Sequence, residues 1–430
     1  MNLFIFLFFI CIQALPNTHW VDIWTSMPQL TEPDNLPPPP FNASTIFANT
    51  TIRQTIHLTQ NTSTIRLRFS NAFGLADLPI SNVTISLPQH QKPGTSLSDT
   101  ETVKKLTFNG DNGIIIPTGA LAVSDPIDFP VQAQSELMVS LYLRDGQDGG
   151  AITSHPGSRT TSWMARGNFV EKVNLTDAMS VEHWYYISAV EALLPSSTSA
   201  FAIIGDSITD GRGSDTDGNN RYPPLPLLVC RTNKCSWPDL LLTRMQAFPE
   251  TSSISILNQA AGGNRVLKDG LGPNALSRID RDILAHSGVR YAMLFEGVND
   301  IGVTAADEYN QTMIGDRLIV AYQQIVTRLH AADIPVFGGT ITPFGTSSNA
   351  SYVQPYSHPE REKTRQRVNE WIRTSGVFDA VVDFDEMLRD PDQLDVLAEE
   401  YDSGDHLHPN VRGYQALADG FPLEIFNSMN

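Results

Sequence analysis

At 430 residues the chain is too long for one ordinary domain, so two domains are the first expectation. Hydrophobic residues at 41% and charged residues at 18% describe a soluble globular protein and exclude a disordered one. A net charge of −18 excludes a nucleic-acid partner, because phosphate binding needs a basic surface, and gives no support for an anionic membrane partner.

Residues 1–14 are nearly all apolar, the run stops before Pro16, and Ala14 is a small residue at a suitable cleavage position. The run is too short to span a bilayer, so residues 1–16 read as a secretory signal peptide rather than a membrane anchor or a buried strand. No other segment is long and apolar enough to act as a stable anchor. Cys11 would leave with the signal, and the remaining Cys230 and Cys235 would pair as a local disulfide in an oxidising compartment, with two free thiols as the alternative. Neither has a nearby His or Cys to complete a metal site, and no cofactor motif is found. Asn42, Asn49, Asn61, Asn82, Asn174, Asn310 and Asn349 each open an Asn-X-Ser/Thr sequence, a density expected of a glycosylated exported protein.

Residues 17–195 read as β. Segments 52–58, 64–69, 83–87 and 137–143 alternate apolar with polar side chains, with turn signals such as Asn109-Gly110 between them. This predicts an antiparallel β-sandwich. Pro37 to Pro40 form a stiff extended lead-in. The Ser- and Thr-rich stretch 194–199 marks the boundary to a second domain, 196–430. There the rhythm changes. Apolar runs at 201–204, 254–257, 291–295 and 334–337, with Val381-Val382 as a fifth, alternate with helical patterns at 237–248, 275–285, 307–331 and 361–374. Strands alternating with helices predict a parallel sheet covered on both faces, with a site beyond the C-terminal strand ends.

Three of those strand ends carry reactive residue types. Ser207 follows the first in Gly205-Asp206-Ser207, Gly263 follows the second, and Asn299 follows the third. Each alone reads more simply as a capping or turn residue. A serine nucleophile needs a base, and His408 in the turn Asp402 to Pro409 is the best candidate, with Asp405 three residues earlier to orient it. His406 competes but adjoins Asp405 directly. His286 and His330 lie on helical patterns and read as structural or exposed, and His155 reaches the site only across a domain interface. A glycine at 263 lets a backbone N–H approach a developing oxyanion closely, and the Asn299 amide is a neutral donor for it. There is no Gly-X-Ser-X-Gly elbow and no phosphate loop.

Taken together, the four segments resemble the blocks of the SGNH hydrolase superfamily, the GDSL esterases. The resemblance implies a flavodoxin-like three-layer α/β/α catalytic domain, with Ser207 as nucleophile, His408 as base then acid, and Asp405 as its partner. It also implies an oxyanion hole from the N–H of Ser207, the N–H of Gly263 and the side chain of Asn299. The string from Gly205 to Ser214 is similar to secreted arylesterases and acylhydrolases with an N-terminal β domain, some found beside xylan-degrading enzymes. The expectation is therefore a secreted serine carboxylic-ester hydrolase that removes acetyl or other short acyl groups from plant polysaccharide or related esters. An extracellular lipase is the alternative, favoured if the apolar run 223–229, within the insert 215–235, forms a flap. A non-catalytic carbohydrate-binding protein is the second alternative.

Overall fold

The computed structural model describes residues 17–218, 235–347 and 350–427. Residues 1–16, expected to be a signal peptide, lie outside the described residues, as do Cys230, the run 223–229 and Asn349, and with Cys230 so does the expected Cys230–Cys235 pairing. Among the described residues no helix is long and apolar enough to cross a membrane.

The N-terminal half is built on two larger antiparallel sheets. One runs Thr18–Thr25, Ile187–Pro195, Thr62–Ser70 and Leu121–Val123, with Ile127–Val131 also pairing to Thr62–Ser70. The other runs Met179–Val181, Ser162–Arg166, Thr50–His57, Glu136–Leu143, Asn82–Ser86 and Lys104–Leu106. In Thr62–Ser70 the alternation works as expected: Ile65, Leu67 and Phe69 are buried while Thr64, Arg66 and Arg68 are part-exposed. In Thr50–His57 both faces are buried. Its second face lies under loops that Arg53 holds down, its guanidinium donating to the carbonyls of Ser96, Phe169, Lys172 and Val173. With carbonyls and Ser140 as partners but no carboxylate, burial lowers the Arg53 pKa to about 10.

The C-terminal half carries a five-stranded parallel sheet in the order Ile254–Ala260, Ser199–Gly205, Val289–Phe295, Val336–Gly339, Ala380–Val382. Near-continuous apolar strands suit a sheet buried on its faces. Phe426 meets Phe201, Tyr291 and Phe337 edge to face in this core, while Tyr291 stacks on Phe337. The fourth strand starts later than its apolar run because Pro335 has no N–H to donate, although its carbonyl still accepts from Ala292. The helices Trp237–Gln246, Glu308–His330 and Pro359–Thr374 fall on their predicted segments. The 275–285 segment is split into a helix Ala275–Ile279 and a π-type turn Asp280–Leu284.

The two halves are joined by polar contacts beside an apolar seam. Asp22 accepts from the Ser287 N–H and the His286 ring, each at 2.8 Å. Arg68 donates to the Ala285 carbonyl, and Arg66 and Arg68 both grip Glu191, which also accepts from Ser287. Thr59 bonds Ser255 at 3.0 Å. Burial pushes the Glu191 carboxyl up, but the two guanidiniums outweigh it and hold it at about 2. Its stabilising share is therefore present above pH 4.5 and is lost as the pH falls towards 2. Glu191→Gln should cost about 2–3 kcal/mol near pH 7, less than a fully buried pair because Arg66 is part-exposed. Calorimetry should show a gap in melting temperature that closes on acidification; a gap constant from pH 7 to pH 3 contradicts this role.

Candidate active site

Parallel strands end on one edge, and the chain turns at that edge bring the predicted residues together. The inner strand Ser199–Gly205 leads directly into a short helix, Ser207–Asp210. Asp206 caps it by accepting the Ile208 N–H at 3.0 Å, and Gly211 ends it with a φ of 97°. Gly205 must be glycine here, since a Cβ would sit 2.6 Å from Thr209. Ser207 is thereby fixed at the strand end, only 5% exposed.

The Asp402–Pro409 turn supplies the base. His408 Nε2 lies 2.7 Å from Ser207 Oγ, and Nδ1 lies 2.6 Å from Asp405 Oδ2. Asp405 Oδ1 accepts the N–H groups of His408 and Leu407 at 2.8 and 3.1 Å, which locks the carboxylate to the turn that carries the imidazole. A carboxylate at Nδ1 requires a proton there, leaving Nε2 to accept from the serine. Burial lowers the His408 pKa below 6.5, Asp405 opposes it, and Arg212 and Arg159 lower it further. Burial raises Asp405, yet the bond and charge of His408 hold it well below the carboxylate range. His406 is turned away. It has a φ of 58°, its Nδ1 meets Asp402 Oδ2, and its ring stacks on Tyr352.

Gly263 lies past the second strand with a φ of 70°, a left-handed backbone that favours glycine, with the Leu271 side chain beside it. Asn299 lies on the helix Val298–Val303 after the third strand. Its Nδ2 donates one proton to the Asn264 carbonyl at 2.9 Å, and its Oδ1 accepts from the Tyr356 hydroxyl at 3.1 Å. This orients the amide and leaves its second N–H free to donate. Ser207, Gly263, Asn299 and His408 all border one cleft of about 360 Å³.

The floor under this edge is a buried ionic cluster. Arg278 donates to the Gln259 and Gly205 carbonyls, to Asn264 Oδ1 and to Asp282. Asp300 accepts the N–H groups of Val266 and Leu267, pinning the loop that carries Gly263. Burial pushes Asp300 up to about 6, against those two N–H bonds, and pushes Asp206 up to about 7, with Asp300 and Asp210 adding to it. Burial also raises Glu296 well above its ordinary value, with the Arg278 charge opposing it. Arg278 lies 3.6 Å from Glu296 and 3.0 Å from Asp282. Among the described residues no group of three or more His, Cys, Asp or Glu side chains could hold a metal ion.

Several cleft residues have no sequence signal. Gln29, Glu32, Asn35, Pro156, Gly157 and Arg159 come from the N-terminal half, and Asp210, Arg212 and Tyr356 from the other. His155 does cross the interface, its Nε2 reaching Asp210 Oδ1 at 3.0 Å while its ring stacks on Trp184. It meets the cleft wall rather than Ser207. His286 and His330 are held by Asp22 and Asp379.

The raised Asp206 pKa has a stability consequence. Between its ordinary 3.8 and about 7 the native state keeps a proton that the unfolded chain releases, so stability falls as the pH rises through that window. Asp206→Asn keeps the cap and removes the charge. It should raise the melting temperature at pH 8, by about 1–2 kcal/mol of stability, with the gain vanishing near pH 4. A gain independent of pH, or none at pH 8, contradicts the buried-charge account.

A sequence model of the GDSL-like Lipase/Acylhydrolase family matches residues 203–416. No curated protein matches the chain. Among solved structures, the chain is similar to a catalytic mutant of an acetylxylan esterase from Geobacillus stearothermophilus, at 19% identity and a TM-score of 0.34, over 54% of this chain and 96% of that one. It is also similar to a GDSL-like lipase from Bacteroides thetaiotaomicron, at 13% identity and a TM-score of 0.34, over 54% of this chain and 89% of that one. Through residues 203–416, this chain belongs to the GDSL-like lipase/acylhydrolase family and is a carboxylic-ester hydrolase.

Proposed function

We propose that the protein is a secreted serine esterase that removes acetyl or other short acyl groups from plant polysaccharide or related esters through an acyl-enzyme. The observation that carries the mechanism is the chain of contacts from Ser207 Oγ to His408 Nε2 and from His408 Nδ1 to Asp405. Ser207 Oγ attacks the ester carbonyl as its proton passes to His408 Nε2. His408 then returns that proton to the departing alkoxide, which leaves as the alcohol. Water, deprotonated by the same nitrogen, attacks the acyl-enzyme and releases the acid, restoring the serine. The N–H groups of Ser207 and Gly263 and the free N–H of Asn299 stabilise the oxyanion in both steps. A base whose pKa lies below 6.5 is neutral and ready at neutral pH.

Support for a small polar substrate comes from the cleft wall, where Gln29, Glu32, Asn35, Arg159 and Arg212 outweigh the apolar Leu271 and Leu407. Secretion is supported by the apolar leader and by the sequons. Asn42, Asn49, Asn61 and Asn174 are exposed, and Asn82 and Asn310 are part-exposed, so glycans can be accommodated. In this reading a Cys230–Cys235 disulfide closes the insert, residues 17–195 form a β-sandwich domain, and helices cover both faces of the parallel sheet in residues 196–430.

Ser207→Ala should abolish hydrolysis of p-nitrophenyl acetate, and Asp405→Asn should lower kcat by about 10³- to 10⁴-fold, with the fold intact by circular dichroism. Full activity in Ser207→Ala would falsify the mechanism. The acid limb of the kcat/KM profile should fall below pH 6.5, following the lowered His408 pKa; a limb above pH 7 contradicts it. Acetyl esters should be turned over faster than long-chain esters, and faster hydrolysis of emulsified long-chain esters would reassign the protein as a lipase.

A further inference from the structure

Among the described residues many arginines pair with carboxylates, and others, such as Arg53 and Arg244, spend their donors on backbone carbonyls. Arg66, Arg68, Arg278, Arg365 and Arg373 each hold at least one carboxylate. Arg159 and Arg212 do not. Both border the cleft that contains Ser207 and His408, and among the described residues neither side chain makes a hydrogen bond or ion pair. The Arg159 Nε is buried with no acceptor, a costly state for a cationic donor unless a ligand supplies one.

Arg159 is also held in place. It has a φ of 49°, a left-handed conformation that a long side chain rarely adopts. The backbone on either side enforces it. Ser158 and Thr160 bond each other through both hydroxyls, Thr161 donates twice to Asp217, and the Asp217 N–H donates back to the Arg159 carbonyl. A strained residue fixed this firmly, from the N-terminal half, lines the same cleft as Arg212, which lies two residues beyond the short helix that Ser207 opens. The two carboxylates in the cleft wall are already engaged. Asp210 is held by His155, and Glu32 accepts from the amides of Gln29 and Asn35. The guanidiniums are the groups left to receive an anion, and both bear electrostatically on His408, so they lie near the reacting centre.

We propose that Arg159 and Arg212 bind a carboxylate carried by the alcohol part of the ester, so that the natural substrate is an acyl ester on an acidic sugar, a uronic acid. The Glu32 side chain, fixed by Gln29 and Asn35, then offers acceptors for sugar hydroxyls on the wall that bears Arg159. This deepens the short-acyl sugar-ester reading above and rests on it. Guanidinium planes match a carboxylate's two oxygens, and the site discriminates because a neutral sugar leaves the cations unpaired. Arg159 and Arg212 are specificity residues here, not participants in the proton transfers.

The test compares kcat/KM for the monoacetate of methyl glucuronoside with that of methyl glucoside, using the full chain. Wild type should prefer the acidic ester by about tenfold or more, and the preference should fall several-fold in 0.5 M salt. In Arg159→Met, and separately in the exposed Arg212→Met, the acidic-to-neutral ratio should drop towards one, chiefly through KM, with unchanged melting temperature. Arg212→Lys, which keeps the charge but not the fork, should retain part of it. A wild-type ratio at or below one overturns the inference, as does a ratio unmoved by both Met variants. Preference for a succinyl ester of methyl glucoside over the acidic acetate also overturns it, by moving the anion to the acyl side. p-Nitrophenyl acetate separates the two levels: turnover of it with no acidic preference defeats this inference alone, whereas no turnover of any ester defeats the esterase reading beneath it.

Discussion

A single buried guanidinium holds the reactive edge of the sheet together. Arg278 has no exposed side-chain surface, and it ties the carbonyls of Gly205 and Gln259 to Asn264 and Asp282. Those are the ends of two adjacent strands and the loop that carries Gly263. Asn264 in turn receives Asn299 from the end of the third strand. The distances among Ser207, Gly263 and Asn299 thus depend on one cation that cannot relax into water. An oxyanion hole needs its donors fixed before the charge develops, and a buried ionic hub supplies that rigidity. The cost is visible beside it. Glu296, Asp206 and Asp300 crowd the same floor, and burial raises all three towards protonation.

The base arrives by a different route. The turn from Asp402 to Pro409 is far from the nucleophile in sequence, yet Asp405 binds both the ring and the backbone N–H of His408. The dyad is thus a nearly self-contained unit, and only its delivery to Ser207 depends on the rest of the sheet. Substrate recognition depends on yet another part of the chain. The N-terminal half does not merely buttress the sheet, because Gln29, Glu32, Asn35 and Arg159 build one wall of the cleft. Asp22, Arg68 and Glu191 fix that half against the turn at 285–287.

What could be read in the sequence was what is local or periodic. Apolar runs placed the five parallel strands because such strands have few polar positions to confuse them. Ser207, Gly263 and Asn299 were found because each directly follows a strand, and Asp405 with His408 because three residues of one turn bring them together. The choice of His408 over His406 rested on that spacing, and the positive φ of His406 supplies the physical reason. Short helices such as Val298–Val303 and Phe384–Leu388 escaped because they hold too few turns to show a period. Arg278, Arg159 and the His155–Asp210 contact were illegible for another reason. The groups around them lie on other strands or in the other half of the chain, and no spacing rule links residue 155 to residue 210.

The account turns on Ser207 being the atom that takes the acyl group, and covalent trapping asks this directly. After inactivation with a p-nitrophenyl phosphonate ester, peptide mapping by mass spectrometry should find stoichiometric label on Ser207 and a parallel loss of esterase activity. Addition of a slow acetyl ester beforehand should protect both. Label on another residue accompanying the loss of activity, or full activity retained with Ser207 completely labelled, would contradict the account.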